Sequence, residues 1–141
     1  AGRRVTASGM KLSMMIILGL AGAEGSERHA LATAKAINII KPTHLSALCL
    51  MLYRGSELLD QYEAGKFNPL SPAGLMRELK LIIENIDLPA DRHCLFRSNH
   101  VSNYVQLAAT LPHDKQRLLR DIDYSIAQLS KLKSWDVYNH N

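Results

Sequence analysis

Residues 12–22 read LSMMIILGLAG, and this stretch decides the fold class. Positions 12–18 are almost all apolar, which predicts a strand buried on both faces, as in a parallel sheet covered by helices. Gly19 and Gly22 then end the strand. Ser26 is predicted to cap a following helix, whose apolar positions keep helical spacing as far as Pro42.

The rest of the chain repeats this alternation. Two further strands are predicted at 45–52 and 93–97. Helices are predicted from Gly55-Ser56 to Gly65, from Ser71-Pro72 to about Ile86, from Thr110-Leu111-Pro112 to Leu132, and at the start of the chain, where Gly9 closes a helix. The order predicts an α/β fold with parallel strands and covering helices.

Three strands with two apolar faces need more covering than a free sheet provides. We therefore expect residues 1–133 to be a piece of a larger structure, such as an incomplete barrel, and 134–141 to be a tail. The chain also starts inside a predicted helix without an initiator methionine, which suggests a piece of a longer polypeptide.

Composition narrows the class of protein. The 141 residues are 47% hydrophobic and 21% charged, which is typical of one globular domain. The net charge of +4 is scattered and only 6% of residues are aromatic, which argues against nucleic-acid binding. No secretory signal is visible, and the longest apolar run, 14–20, is too short to span a bilayer. Cys49 and Cys94 are expected to be reduced, buried thiols of a cytoplasmic protein.

Candidate site residues lie at the predicted carboxyl ends of the strands, where parallel α/β structures place their chemistry. After the first strand, Leu18, Gly19 and Gly22 allow a ligand close to the backbone, although an ordinary loop has the same pattern. After the second, Tyr53 and Arg54 can stack on a ring or pair with a carboxylate, or simply cover a helix start.

The third candidate segment, residues 96–104, reads FRSNHVSNY and is dense in hydrogen-bonding side chains. Composition leaves two interpretations open: a ligand site, or a turn network that satisfies itself. The candidate cavity residues are Arg97, Asn99, His100 and Asn103. The six histidines show no metal-ligand spacing, so no metal site is predicted in the chain.

Four blocks of the sequence resemble, in order and spacing, the C-terminal half of a family of bacterial radical S-adenosylmethionine (SAM) proteins. The blocks are SMMIILGLAG at 13–22, the strand and Gly-Ser of 45–56, FRSNHVSNY at 96–104 and TLPHDK at 110–115. The last two are the most specific. The resemblance covers nearly the whole chain and implies that residues 1–133 are the C-terminal portion of a partial (β/α) barrel of the TIM type. In that family a Cys-x-x-x-Cys-x-x-Cys loop holds a four-iron four-sulfur cluster, which cleaves SAM reductively to a radical that abstracts hydrogen from a substrate.

The resemblance also implies roles for residues. The strand end from Leu18 to Gly22 would lie beside SAM, and Tyr53 and Arg54 would lie near its adenosine. Arg97, Asn99, His100 and Asn103 would line the cavity or brace its floor. The chain departs from the family where Ala21-Gly22-Ala23 replaces paired glycines and where Arg54 replaces a common proline.

The three-cysteine loop is absent from this chain, since Cys49 and Cys94 are its only cysteines. We therefore expect no cluster and weak or no SAM binding by the chain alone. The expected function is that of an inactive C-terminal fragment of a radical SAM oxidoreductase, whose parent binds SAM and an unknown substrate. The alternative is a stand-alone, non-catalytic binding module derived from the half-barrel. Neither reading involves a membrane or nucleic acid, and in both an exposed sheet edge favours a homodimer.

Overall fold

Strands and helices alternate along most of the chain in the computed structural model, which describes residues 1–131. In chain order the elements are α1 (Gly2–Ala7), β1 (Ser13–Leu18), α2 (Gly22–Ile40), β2 (His44–Cys49), α3 (Glu57–Glu63), α4 (Pro72–Glu84), β3 (Cys94–Ser98), β4 (Leu107–Leu111) and α5 (Lys115–Leu129). Two sequence predictions fall outside the described residues. They are the place of Leu132 on the apolar stripe of the last helix and the tail at 134–141.

The four strands form one open sheet in the order β1-β2-β3-β4. β1 pairs with β2, and β2 with β3, in parallel, whereas β3 and β4 are antiparallel. One row across the sheet joins Met15 to Ser46, Ser46 to Arg97, and Arg97 to Ala108. The predicted α/β class is therefore confirmed. The predicted parallel pairing holds for β1, β2 and β3 but not for β4, a strand that the sequence did not predict.

Within residues 1–131, helices cover only one face of this sheet, so the prediction that the strands are buried on both faces is wrong. On the covered face, Ile16, Leu45 and Phe96 are buried against α2, α4 and α5. On the opposite face Met15 is 71% exposed and Ile17 is 42% exposed. We call this second surface the open face; its side chains are those of Ser13, Met15, Ile17, His44, Ser46, Leu48, Leu95, Arg97, Ala108 and Thr110.

The main error of the sequence prediction falls at 107–112. The segment Leu107–Leu111 is a strand, and the last helix begins at Lys115 rather than at Thr110-Leu111-Pro112. Alanines at two of the five strand positions give a weak β signal, and a threonine before a proline imitates a helix start. The other strands match their predictions to within one to three residues at each end.

Serine caps set the starts of α3 and α4, as predicted. The Ser56 hydroxyl accepts the Leu59 N–H at 3.3 Å, and the Ser71 hydroxyl accepts the Gly74 N–H at 3.1 Å. The prediction that Ser26 caps α2 is wrong, because α2 begins at Gly22 and Ser26 lies inside it. α1 ends at Ala7, and Gly9 follows with a φ of 84°, as expected of a glycine that closes a helix.

Candidate functional site

The turn at the end of β1 is built of glycines because its neighbours leave no room for a side chain. Gly19 and Gly22 have φ values of 83° and 69°. A Cβ on Gly19 would lie 2.7 Å from the Leu75 side chain, and one on Gly22 would lie 3.0 Å from the Asn68 carbonyl oxygen. Leu18 is fully buried on the helix side of the sheet. Packing against the chain itself therefore accounts for all three predicted residues.

A buried carboxylate braces this turn. Glu78, on α4, accepts the Gly19 N–H at 2.7 Å through one oxygen and is hydrogen-bonded to His29 Nδ1 through the other. The Glu78 side chain is fully buried, whereas that of His29 is 23% exposed. Sequence reasoning missed Glu78, although its position between Leu75 and Leu79 already placed an acid on the apolar stripe of α4.

The end of β2 carries a buried thiol. Burial raises the pKa of Cys49 to about 11, a hydrogen bond from the Tyr104 backbone N–H opposes the rise, and the nearby Glu78 carboxylate adds to it. Burial also raises the pKa of Cys94 to about 11. Both cysteines are free, and both are neutral thiols near pH 7, so neither has the thiolate needed for nucleophilic or metal chemistry.

The segment 98–104 folds back onto β2, and its side chains bond to β2 backbone groups that have no strand partner there. Asn103 donates through Nδ2 to the Ala47 carbonyl and to the Ser98 hydroxyl, both at 2.7 Å, and accepts the Cys49 N–H at 2.9 Å. Regular pairing between β2 and β3 stops at Ser46 and Arg97, so Asn103 supplies the ladder contacts beyond that point.

Two more residues of this segment also bond within it. His100 Nδ1 accepts the Ser102 backbone N–H at 3.1 Å and lies 2.8 Å from the Ser102 hydroxyl. Because Nδ1 is an acceptor, the neutral imidazole fits this arrangement. Of the two interpretations that composition left open, the self-satisfied turn network therefore describes His100 and Asn103.

Arg97 and Asn99 remain available for a ligand. Arg97 projects from the open face between Ser46 and Ala108, and one guanidinium N–H donates to the Phe96 carbonyl at 2.7 Å. Within residues 1–131, no carboxylate lies within ion-pair distance of Arg97, and the exposed Asn99 side chain forms no hydrogen bond.

Tyr53 and Arg54 lie on the surface beyond the end of β2. The Tyr53 hydroxyl is 3.2 Å from the Met51 sulfur, and the Tyr53 carbonyl accepts the Ser56 hydroxyl at 2.8 Å. In the described part of the chain, no hydrogen bond joins either residue to the segment 98–104. The structure therefore brings the ends of β1, β2 and β3 to one edge without linking Tyr53 and Arg54 to the other candidates.

Within residues 1–131, the structure has neither a metal-binding cluster of side chains nor a helix fit to cross a membrane. No group of three or more His, Cys, Asp or Glu side chains is placed to share a metal ion. None of the helices there has the length and apolar character required to cross a bilayer.

Comparison with known proteins gave no relative: no protein-family model, no curated protein and no solved structure matches this chain. We therefore infer a function from the strand order, the open face and the side chains at the carboxyl edge of the sheet.

Proposed function

We propose that this chain is the C-terminal part of the partial (β/α) barrel of a radical SAM enzyme. The strand order is the observation that carries the proposal. β1, β2 and β3 are neighbours in the sheet in the same order as in the chain, and the helices packed on the sheet share one face. A barrel is built in this way, since each strand–helix unit lies beside the preceding one. A doubly wound sheet instead reverses its strand order and has helices on both faces.

The open face corresponds to the inner wall of the barrel in this proposal. Among the described residues, Arg97 carries the only permanent charge on that face, and its neighbours Ser46 and Ala108 are small enough to leave space beside the guanidinium. Arg97 and Asn99 are therefore the residues that we assign to contact with substrate or SAM.

The remaining candidate residues have supporting roles. The backbone from Leu18 to Gly22 would lie beside SAM, held by the Glu78 carboxylate, and Tyr53 and Arg54 would lie near the adenosine. His100 and Asn103 brace the floor of the cavity, because their polar atoms bond within the chain.

The cysteines of this chain do not fit an iron–sulfur cluster. Three thiolates are required, whereas Cys49 and Cys94 are two neutral, buried thiols. Cys49 ends β2, while Cys94 lies level with Thr43, six residues earlier along β2 and so roughly 20 Å away. We therefore assign the cluster to another part of the enzyme. The free thiols suit a reducing compartment, and on that ground we place the parent in the cytoplasm.

The test uses the longer polypeptide that this proposal requires. That polypeptide, reconstituted with iron and sulfide without oxygen and reduced with dithionite, should cleave SAM to 5′-deoxyadenosine, whereas the 141-residue chain treated identically should not. Arg97→Ala in the longer polypeptide should weaken substrate-dependent cleavage, and Val101→Ala, also exposed, should not. A longer polypeptide that holds no cluster, or that holds one without cleaving SAM, would contradict the proposal.

The second candidate function is a stand-alone, non-catalytic binding module derived from the half-barrel. The internal bonds of Asn103 and His100 favour it, since they show that the most specific part of the sequence also serves the fold. A coding sequence that lacks a cluster-binding segment would favour this candidate over the first.

A further inference from the structure

Arg97 carries a positive charge that no acid in the described part of the chain neutralises. Within residues 1–131, no carboxylate lies within ion-pair distance of its guanidinium, and the side chains of the open face include no aspartate or glutamate. Beyond the outer edge of β4, the side chains of Asp114 and Arg117 lie 3.5 Å apart and bond to the β4 backbone, so they form a pair of their own. The charge of Arg97 is therefore available to an anion from outside these residues.

A hydrogen bond to the backbone holds the Arg97 guanidinium over β4. The Leu95 N–H donates to the Thr43 carbonyl beside β2, so the backbone groups of the next residue, Phe96, are directed to β4. The Phe96 carbonyl accepts one guanidinium N–H at 2.7 Å. This bond draws the guanidinium to the β4 side and leaves its other N–H groups to donate elsewhere. An arginine that is already held in place loses less side-chain entropy when it binds a ligand.

The open face of β4 offers space and a hydroxyl on the side to which the guanidinium is drawn. Ala108 and Thr110 are the residues of β4 on that face, and they pair with Arg97 and Leu95 respectively. The small Ala108 side chain leaves room above the strand, and the Thr110 hydroxyl has no hydrogen-bond partner among residues 1–131. A guanidinium and a hydroxyl that donate into the same space match the oxygens of a carboxylate or a phosphate.

We propose that Arg97 and Thr110 bind an anionic group of the substrate, either a carboxylate or a phosphate. The inference rests on the proposed function for the owner of that group, since the open face is there the inner wall of the barrel.

The position of Arg97 in the sheet favours the substrate over SAM, which also carries a carboxylate. Arg97 lies level with Met15, whereas the turn that would lie beside SAM follows Leu18. The Arg97 Cα is therefore roughly 10 Å from that turn along the strands and roughly 10 Å from it across the sheet. The Arg97 side chain is exposed in this chain, so water competes for the guanidinium and the isolated chain should bind anions only weakly.

Titration of the isotope-labelled 141-residue chain with inorganic phosphate, and separately with acetate, tests the proposal by nuclear magnetic resonance. At constant ionic strength, each anion should shift the amide signals of Phe96 and Ala108 to saturation. Arg97→Ala should raise the phosphate dissociation constant about tenfold or more, and Arg97→Lys should raise it less, because lysine keeps the charge without the planar fork. Thr110→Val, which removes the hydroxyl and keeps the shape, should raise it about twofold to fivefold.

Arg77→Ala is the matched control. It removes the same charge from an exposed position on α4, on the helix side of the sheet, and should leave the phosphate dissociation constant unchanged. The amide spectrum of each variant also establishes that it is folded, so that lost binding is not mistaken for unfolding. Shifts that do not saturate, or that persist in Arg97→Ala, would overturn the anion site.

A titration with SAM decides which molecule owns the anionic group. SAM should shift the Phe96 and Ala108 signals no more than acetate does at equal concentration. Larger shifts with SAM that Arg97→Ala abolishes would overturn the assignment to the substrate. Because these titrations need neither the longer polypeptide nor a cluster, their failure is distinct from a failure of that polypeptide to cleave SAM.

Discussion

The Asn103 side chain joins the carboxyl ends of β2 and β3. Its amide bonds both the Ala47 carbonyl and the Cys49 N–H, and so reproduces the contacts of a missing strand residue. Sequence reasoning selected Asn103 as a cavity residue, but composition alone does not reveal whether an amide serves a ligand or the backbone. Whether Asn103 serves a ligand or the backbone depends on where β3 ends, and packing decides that position.

Replacing Asn103 with Ala should lower the free energy of unfolding by about 1–3 kcal/mol, because the Ala47 carbonyl loses the amide that bonds it and the Cys49 N–H keeps only the Ser102 hydroxyl, at 3.2 Å. Asn99→Ala is the matched control and should change it by less than about 0.5 kcal/mol, since Asn99 is exposed. Urea titrations of both variants measure the difference. Equal effects would show that the network does not stabilise the fold.

Gly19→Ala should destabilise the chain more than Gly55→Ala. Both glycines have φ values above 80°, so both substitutions carry a backbone cost of about 1–2 kcal/mol. Only Gly19 adds an overlap, with the Leu75 side chain at 2.7 Å, whereas a Cβ on Gly55 meets nothing within 4 Å. Thermal unfolding of the two variants compares them. A larger loss of thermal stability in Gly55→Ala than in Gly19→Ala would refute the close packing over the β1 turn.

The buried thiols should make the fold sensitive to alkali. The pKa values of Cys49 and Cys94 are raised from 9.0 to about 11, so the folded chain keeps protons that the unfolded chain has lost. The stabilisation is complete below pH 9 and disappears as the pH rises to 11. Below pH 9, each thiol contributes on the order of 2 kcal/mol to the free energy of unfolding.

Urea titrations across this pH range measure the thiol contribution. The double variant Cys49→Ala, Cys94→Ala should lose less stability between pH 9 and 11 than the wild type does, even if it is less stable at neutral pH. Part of the loss should remain, because burial raises the pKa of Tyr104 to about 12. An unchanged pH dependence in the double variant would count against buried thiols.

At the scale of the strand, burial alternates although hydrophobicity does not. Ile16 is 6% exposed and faces the helices, while its neighbour Ile17 is 42% exposed on the open face. A run of apolar residues indicates that both faces of the strand are apolar. It does not indicate whether helices cover both faces. This is why the sequence predicted two-sided burial and the structure has one-sided burial.

Two identical substitutions on adjacent residues test the one-sided packing. Ile16→Ala should cost about 2–4 kcal/mol of unfolding free energy because it leaves a cavity under α2, whereas Ile17→Ala should cost about 1 kcal/mol or less. The measurement is made by urea titration. Similar costs at the two positions would mean that the open face is covered.

Elements with clear local signals were predicted well, and those defined by their neighbours were not. Ser71 followed by Pro72 fixed the start of α4 because a hydroxyl cap and a proline act within one turn. β4 was missed because its five residues have little strand preference of their own, and pairing with β3 determines their conformation.

For the fold as a whole, the sequence predicted alternating strands and helices with parallel pairing. The structure has both for β1, β2 and β3, whereas β4 follows β3 directly and is antiparallel to it. The hydrogen bond from the Gly19 N–H to the Glu78 carboxylate was not predicted, because these residues are 59 positions apart in the sequence. The proposal that follows is that the open face is one wall of a barrel. In that proposal, the wall that holds the iron–sulfur cluster would lie outside this chain.

Determination of the coding sequence immediately upstream of the Ala1 codon tests this central claim most directly. The account predicts an open reading frame that continues upstream in frame and encodes Cys-x-x-x-Cys-x-x-Cys, followed by further alternating strands and helices. An in-frame stop codon there, or an upstream segment without those three cysteines, would contradict it.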